Sequence, residues 1–427
     1  MNSVEVSALH WATAQPTRLV WENGLIRTLE PGPREMPEKV WLAPPLFDLQ
    51  VNGFGGVDFQ RDDLSAADLS RAVHALRLAG CGRFLFTLIT AEWPRLTARL
   101  ARAAALRAES EDLQSAIAGW HIEGPFLSSR PGFHGAHNPG LMLDPTPEHL
   151  RELRALTGRD PLLLTIAPER PGALDAISLA VSLGCKVSLG HTDASAEIIQ
   201  AAVQAGASGF THLGNGCPRE LDRRDNILWR VLDNARLTVS LIPDRIHVSP
   251  ALFRFVHKLM PSERVVYVSD AMAAAGAAPG RYTLGALELE VGPDEIVRQP
   301  GQTNFAGSAL RQIDGIARAA AMLDVPWQEV WRRMSELPAR FMELNQELAV
   351  GQPATFCLLN EDASRQRPSL RFFAQGRECH ALRRGDAHES CLGRTENGER
   401  NGIGQYGSVA GDAGVRQPGA GGQIGSV

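Results

Sequence analysis

The segment SGFTHLGNGCPR, residues 208–219, begins as a short apolar run, stops at His212 and continues into a glycine-rich turn. Glycines permit a sharp turn and let backbone N–H groups approach a ligand closely. A lone histidine at a strand end is more often a hydrogen-bonded structural residue than a ligand. The segment therefore becomes informative only if the chain repeats this unit, a strand whose end carries a polar side chain.

The unit does recur, because the chain contains eight short β-rich runs: 45–51, 83–89, 117–122, 162–167, 185–190, 208–212, 236–242 and 264–269. Most are followed by apolar residues at helical spacing, over 65–79, 92–109, 173–183, 194–205 and 307–323. Strands that alternate with helices form parallel sheets, and eight such units indicate a closed (β/α)8 TIM barrel. We expect this barrel to occupy residues 44–349.

The two ends of the chain differ in kind from the barrel. Residues 1–43 and 350–380 read as short strands and turns, which we expect to pair as one small β-sandwich domain. Residues 281–303 resemble a hairpin before the last barrel helix. Residues 381–427 are rich in glycine and poor in large apolar residues, so we expect a disordered tail.

Composition excludes several classes of function. The chain has 427 residues, of which 44% are hydrophobic and 21% charged, and its net charge is −5 without a long basic run. These values do not favour a partner that is a nucleic acid or an anionic membrane surface. The chain shows neither a signal peptide nor an apolar stretch of membrane-spanning length, so we expect a cytoplasmic protein. Six cysteines without a C-x-x-C pair favour reduced thiols.

Polar residues follow the predicted strands at their carboxyl ends, the face on which barrels of this type gather their active sites. They are Gln50, Glu123, His191, His212, His247 and Asp270. One glutamate and two histidines leave a divalent ion an open position for water or substrate, which is typical of a catalytic metal site. An aspartate beside such an ion can take a proton from water and deliver it to a leaving amine.

Each of these residues also has a structural interpretation. His191 could cap a helix that begins at Thr192, Glu123 could pair with a surface arginine, and Asp270 could be the N-cap of the next turn. Any one of them alone would favour that interpretation. Four of them at successive strand ends favour a hydrolase site.

Eight motifs then carry a specific resemblance: PLFDLQVNGFGGVDF, HIEGPFL, GAHNP, VSLGHTDAS, THLGN, IHV, VSDAMAAAG and FAGSAL. In this order they resemble the N-acetylglucosamine-6-phosphate deacetylases of the amidohydrolase superfamily, from about residue 44 to 350. The resemblance implies a distorted barrel with a small β domain made from both chain ends, in a homodimer. It also implies removal of the acetyl group from N-acetyl-D-glucosamine 6-phosphate, which gives glucosamine 6-phosphate and acetate in amino sugar catabolism.

The resemblance also implies the parts of the catalytic centre. The metal ligands fall on Glu123, His191 and His212, and Asp270 becomes the general base and then the general acid.

For the substrate, it implies that Asn215 and the backbone N–H of Gly216 hold the phosphate. His137 orients the sugar or polarises the carbonyl, and His247 lies on the phosphate side. An arginine that reaches the phosphate of the neighbouring subunit falls on Arg223.

This chain departs from the family pattern at the substrate side and in the first strand. Many amidohydrolases carry His-x-His in that strand and bind a second ion, whereas this chain has Asp48-Leu49-Gln50. We therefore expect one divalent ion per subunit, zinc first and iron or another ion as alternatives, with Gln50 close to the empty second position. Arg245 stands where the family usually has glycine.

Three functions stay open at this stage. The first is deacetylation of an N-acetylated amino sugar 6-phosphate. The second is a related reaction on another N-acyl amino sugar, an N-acyl amino acid or a cyclic amide. The third is a barrel that only binds a sugar phosphate. Arg219, Arg223 and Arg224 could hold the phosphate or could form a solvated surface.

Overall fold

The computed structural model describes residues 3–35, 39–302, 305–360 and 369–380, and within them the chain forms twenty strands and eleven α-helices. The strands are β1 (Val4–His10), β2 (Pro16–Glu22), β3 (Leu25–Pro31), β4 (Val40–Ala43), β5 (Leu46–Val51), β6 (Gly53–Phe54), β7 (Val57–Asp58), β8 (Cys81–Ile89), β9 (Ile117–Glu123), β10 (Leu162–Ile166), β11 (Lys186–Leu189), β12 (Gly209–Phe210), β13 (Thr238–Leu241), β14 (Val265–Tyr267), β15 (Gly280–Leu284), β16 (Leu287–Val291), β17 (Val297–Arg298), β18 (Phe356–Asn360), β19 (Ser369–Ala374) and β20 (Arg377–Cys379). The helices are α1 (Ala66–Leu78), α2 (Trp93–Ala108), α3 (Glu111–Ala116), α4 (Pro147–Thr157), α5 (Ala173–Ser182), α6 (Ala196–Gln204), α7 (Ile227–Leu232), α8 (Pro250–Leu259), α9 (Gln312–Leu323), α10 (Trp327–Trp331) and α11 (Glu336–Phe341).

Eight parallel strands form the barrel, and each of them falls on one of the eight predicted runs. Their order in the sheet is β5, β8, β9, β10, β11, β12, β13 and β14, which is the order along the chain. All seven residues of β9 are buried, as expected for strands that have the barrel interior on one face and helices on the other. The predicted (β/α)8 fold is confirmed.

The barrel closes between its first and last strands through a buried carboxylate. Asp48 in β5 accepts hydrogen bonds at 3.2 Å from the backbone N–H of Ser269, just beyond β14. The side-chain amide of Gln312 donates to the same carboxylate at 2.9 Å. An isolated parallel bridge joins Val51 to Ala271. The first strand, the last strand and helix α9 therefore meet at one side chain.

The last barrel helix begins later than predicted. The apolar spacing predicts a helix over 307–323, but α9 begins at Gln312. The preceding residues complete the barrel instead, since Ser308 donates from its backbone N–H to the carbonyl of Asp270 at 2.9 Å and from its hydroxyl to the carbonyl of Ser269 at 2.5 Å. Pairing with the end of the last strand outweighs local helix propensity here.

The chain ends form a single sheet of seven strands in the order β20, β19, β18, β4, β1, β2 and β3. The joint between the two ends is the antiparallel pair β4 and β18. Trp21 in β2 contacts Phe356 in β18 and Phe373 in β19, at ring-centroid distances of 5.3 and 6.1 Å. The predicted β-sandwich is thus one continuous sheet folded over its own apolar core.

The predicted excursion at 281–303 is a three-stranded sheet of β15, β16 and β17. The buried carboxylate of Asp58 holds it against the barrel, accepting hydrogen bonds at 2.9 Å from the hydroxyl of Thr283 and the backbone N–H of Gly285. Leu284, between these two residues, is thereby placed in the wall of a cleft at the carboxyl ends of the barrel strands.

Other sequence expectations have different outcomes. Cys81, Cys185, Cys217 and Cys357 are free thiols, but Cys379 is disulfide-bonded, which corrects the expectation of reduced thiols at that residue. The predicted disordered tail at 381–427 lies outside the described residues. Among the helices of the described segments, none has the length and apolar character needed to cross a bilayer.

Replacement of Asp48 tests the closure of the barrel. Asp48→Ala leaves buried donors of both the first and last strands without an acceptor, so we expect the free energy of unfolding to fall by roughly 2–5 kcal/mol. Urea unfolding followed by circular dichroism measures this change. Asp63→Ala removes a carboxylate that is 77% exposed and paired with Arg61, and should change stability by at most about 1 kcal/mol. Equal effects of the two substitutions would contradict the role of Asp48.

Candidate active site

A cleft of about 580 Å³ opens at the carboxyl ends of the barrel strands. Its lining includes eight of the ten residues singled out from the sequence: Glu123, His137, His191, His212, Asn215, Gly216, His247 and Asp270. They come from sequence positions up to 147 residues apart, from 123 to 270, and meet because parallel strands end on the same rim. Gln50 is not a lining residue but donates a hydrogen bond to Asp270, and Arg223 is not a lining residue of the described chain.

The predicted metal ligands converge at the bottom of the cleft. Nε2 of His212 lies 2.8 Å from Oε1 of Glu123, and Nε2 of His191 lies 3.4 Å from the same oxygen. One ligand atom from each of the three buried residues lies within 4.8 Å of the others. This arrangement can hold a metal ion.

The contacts of Glu123, His191 and Asp270 differ from those expected if these residues were only a surface ion pair or helix caps. Glu123 is paired with histidines within the described part of the chain. Helix α6 is capped by Ser195, four residues beyond His191. The carboxylate of Asp270 accepts hydrogen bonds from the side chains of Gln50 and Asn52.

Backbone strain accompanies the site. His191, His212 and Asp270 have φ angles of +49°, +32° and +51°, in the left-handed region that residues other than glycine rarely adopt. Each follows a barrel strand, and neighbouring strands hold it there. The backbone N–H of His212, for example, donates to the hydroxyl of Ser240 at 2.7 Å. Strained residues of this kind cluster at functional sites, where the surrounding structure fixes them.

The ring of His191 has one possible orientation. Its Nδ1–H donates to the carbonyl of Phe133 at 2.9 Å, and since a carbonyl can only accept, Nε2 presents its lone pair to the cluster. Gly216 packs against the same ring, because a Cβ built on Gly216 would lie 2.7 Å from Nδ1 of His191. The glycine-rich turn after His212 therefore supports a ligand from another strand.

The buried charges perturb one another. Burial acts to raise the pKa of Glu123, but its interactions with His191 and His212 bring this pKa well below its ordinary value. Burial, followed by the negative charge of Glu123, raises the pKa of Asp270 to about 7. Burial and the neighbouring His191 lower the pKa of His137 to about 3, which keeps this imidazole neutral. Burial acts to lower the pKa of His212, but the hydrogen bond and charge of Glu123 raise it overall. A divalent ion held at the cluster would displace this proton, because a metal-bound imidazole is neutral.

Asp270 is held by two amides. Nε2 of Gln50 donates to its Oδ1 at 3.0 Å and Nδ2 of Asn52 donates to the same oxygen at 2.7 Å. Sequence reasoning singled out Gln50 but missed Asn52. The strand period would have found it, because Asp48, Gln50 and Asn52 alternate with apolar residues and so point to the same side of the strand.

The residues assigned to the substrate lie around the metal cluster. Nδ1 of His137 is hydrogen-bonded to the hydroxyl of Thr90 at 2.8 Å, and its Nε2 lies 3.8 Å from Oε2 of Glu123. His247 donates from Nδ1 to the carboxylate of Asp244 at 2.5 Å, and its ring centroid is 5.0 Å from that of Phe305. Both imidazoles thus keep one nitrogen available to a ligand.

The arginines after His212 separate into two groups. Arg219, one of the three arginines that the sequence offered for the phosphate, is exposed but lines the cleft. Arg223 is exposed and is not part of the cleft wall formed by the described residues. Its predicted action on a neighbouring subunit stays a prediction.

Comparison with known proteins adds independent support. No protein-family model matches the chain. N-acetylglucosamine-6-phosphate deacetylase of Vibrio furnissii is 31% identical over 353 residues, which are 80% of this chain and 86% of the relative. N-acetylgalactosamine-6-phosphate deacetylase of Escherichia coli O157:H7 is 31% identical over 333 residues, 78% of this chain and 86% of that protein.

A solved structure is also similar to this chain over most of its length. The N-acetyl-D-glucosamine-6-phosphate deacetylase of Mycobacterium smegmatis, determined as a mutant in complex with N-acetyl-D-glucosamine-6-phosphate, has a TM-score of 0.79 and 28% identity. The match covers 89% of this chain and 100% of that one.

A (β/α)8 barrel that gathers glutamate, two histidines and an aspartate on its rim, beside a sheet made from both chain ends, defines an amidohydrolase-type hydrolase. Within that class, the chain belongs to the N-acetylglucosamine-6-phosphate deacetylase family.

The support that Gly216 gives to His191 leads to a paired test. Gly216→Ala would place a Cβ against the His191 ring and displace this ligand, so we expect the purified protein to lose most of its bound metal. Gly158→Ala is the matched control, since Gly158 has the same φ of +59° but nothing within 4 Å of a built Cβ. Both variants carry backbone strain. Metal analysis by plasma mass spectrometry should therefore separate them, and equal metal contents would contradict the contact.

Proposed function

We propose that this protein removes the acetyl group from N-acetyl-D-glucosamine 6-phosphate, giving glucosamine 6-phosphate and acetate. The observation that carries the proposal is the joint burial of Glu123, His191, His212 and Asp270 in one cleft at the strand ends. Membership of the deacetylase family supports the reaction class, and the substrates in the names of the relatives support an amino sugar phosphate.

The residues of the cluster fit a divalent ion. One carboxylate oxygen and two imidazole nitrogens are the donor set of catalytic zinc sites, and the Phe133 carbonyl already orients one imidazole. When bound, the ion supplies Lewis acidity toward the acetamide carbonyl and toward water. We assign zinc because this donor set is typical of catalytic zinc sites. We assign one ion per subunit because the first strand offers no imidazole for a second ion, and the side-chain amide of Gln50 is bonded to Asp270.

Asp270 moves the proton. Its Oδ1 is occupied by Gln50 and Asn52, whereas Oδ2 accepts no hydrogen bond from any side chain that the structure describes. This free oxygen takes a proton from the attacking water and then gives it to the nitrogen of the leaving amine, which becomes the amino group of glucosamine 6-phosphate. The two amides keep the carboxylate from rotating between these two transfers.

The remaining residues orient the sugar. Neutral His137, anchored by Thr90, stands beside Glu123 and would donate to the acetamide carbonyl or to a sugar hydroxyl oxygen. Asn215, the backbone N–H of Gly216 and His247 line the same cleft and hold the phosphate. Backbone N–H groups in a glycine-rich turn suit an anion because they carry fixed partial positive charge.

A second substrate has specific support. The relative from Escherichia coli O157:H7 is named for N-acetylgalactosamine 6-phosphate and is as similar in identity as the relative from Vibrio furnissii. Acetate release from both phosphorylated sugars and from their unphosphorylated forms ranks the candidates.

Replacement of the proton carrier separates binding from chemistry. Asp270→Asn retains the shape of the side chain but cannot accept the proton, so kcat should fall by about a hundredfold or more while bound metal is unchanged. His212→Ala should lose both metal and activity. Acetate release and metal analysis on the two variants check this contrast, and near-normal turnover in Asp270→Asn would remove Asp270 from the mechanism.

A homodimer and a cytoplasmic location stay predictions. If Arg223 reaches the phosphate in the neighbouring subunit, an Asp270→Asn subunit paired with an Arg223→Ala subunit contains one complete site. Co-refolded mixtures of the two variants should then exceed the mean activity of the separate variants at low substrate concentration. Activity equal to that mean would contradict an action across the interface.

A further inference from the structure

Arg219 is the one lysine or arginine among the cleft-lining residues of the described chain. The other formally charged residues in that lining are Glu123 and Asp270, both anionic when deprotonated. It stands seven positions beyond His212, in the turn that begins at the end of strand β12.

The charge balance of the cleft indicates why a positively charged side chain is needed there. A divalent ion held at the cluster offsets the charges of Glu123 and Asp270, so it leaves little attraction for a phosphate that carries about two negative charges. The net charge of the whole chain is −5 and adds no long-range attraction. A permanent positive charge in the cleft wall is therefore the feature that favours a phosphorylated over an unphosphorylated sugar.

Arg219 is available to a ligand, as Arg223 and Arg224 of the same segment are, but of these three only Arg219 lines the cleft of the described chain. Two other arginines near the cleft are engaged. Arg130 is paired with Asp193, and Arg230 is paired with Asp193 and Asp225. The side chain of Arg219 has no hydrogen bond or ion pair with any residue in the described segments of the chain. An unpaired guanidinium offers five donors whose geometry matches phosphate oxygens.

The turn that carries Arg219 is fixed at two points. Gly216 packs on the His191 ring. Pro218 packs against Gly132, since a Cβ built on Gly132 would lie 2.6 Å from Cγ of the proline. The Cα of Arg219 is three residues from Gly216 and hence at most about 11 Å from it. Both residues line the same cleft, and an extended arginine side chain of about 7 Å can span most of this distance.

We propose that Arg219 binds the phosphate group of the substrate within its own subunit, together with Asn215 and Gly216 and independently of Arg223. The inference rests on the proposed function and extends it. Each cleft thereby has a cationic phosphate ligand of its own.

The test compares Arg219→Ala with Arg224→Ala. Arg224 is an exposed arginine of the same segment outside the cleft lining, so the control makes the same change in net charge. For N-acetylglucosamine 6-phosphate, Arg219→Ala should raise KM by about 10- to 100-fold, the range for a lost hydrogen bond to a charged group, with a much smaller change in kcat. Arg219→Lys should recover part of the loss, and Arg224→Ala should stay within about twofold of the wild type.

The unphosphorylated sugar completes the design. KM for N-acetylglucosamine should be the same in the wild type and Arg219→Ala, which a general disturbance of the turn would not give. An unchanged KM for the phosphorylated sugar, or an equal rise for both sugars, would overturn the role of Arg219 and leave the deacetylase intact. If the wild type releases no acetate from either sugar, the proposed function fails and this inference fails with it.

Discussion

The contact between Asp48 and Ser269 is the constraint on which the site depends. Asp48 belongs to the first barrel strand and Ser269 follows the last one, and their hydrogen bonds close the sheet. Asp270 is the next residue after Ser269, so the same closure brings its carboxylate to the amides of Gln50 and Asn52. A buried, multiply bonded carboxylate is suited to this position because it fixes direction as well as distance, which apolar contacts do not.

The backbone conformation and buried charges of the site are unfavourable in free energy, and the packing of the barrel compensates for them. Three non-glycine residues hold positive φ angles, each at about 1–3 kcal/mol, and two carboxylates are almost fully buried. The surrounding core of strands and helices supplies the compensating burial of apolar surface. The end of the cleft that carries the candidate metal cluster therefore consists of strand ends that cannot relax without opening the barrel.

The outer end of the cleft has a different construction. Gly132, Pro218, Arg219 and Phe305 line the cleft and belong to loops rather than to the named strands. Such a division lets loops alter which sugar is bound without moving the catalytic groups.

The sequence by itself determined the eight strands and the residues at their ends, because strand periodicity is local and parallel strands end on a common rim. It also determined the convergence of Glu123, His191, His212 and Asp270. Only the tertiary structure decided that Asn52 holds Asp270, that α9 begins at Gln312, and that Arg219 rather than Arg223 lines the cleft of its own chain. These outcomes depend on contacts between segments as many as 218 positions apart, and no local spacing encodes which donor meets which acceptor across the closed barrel.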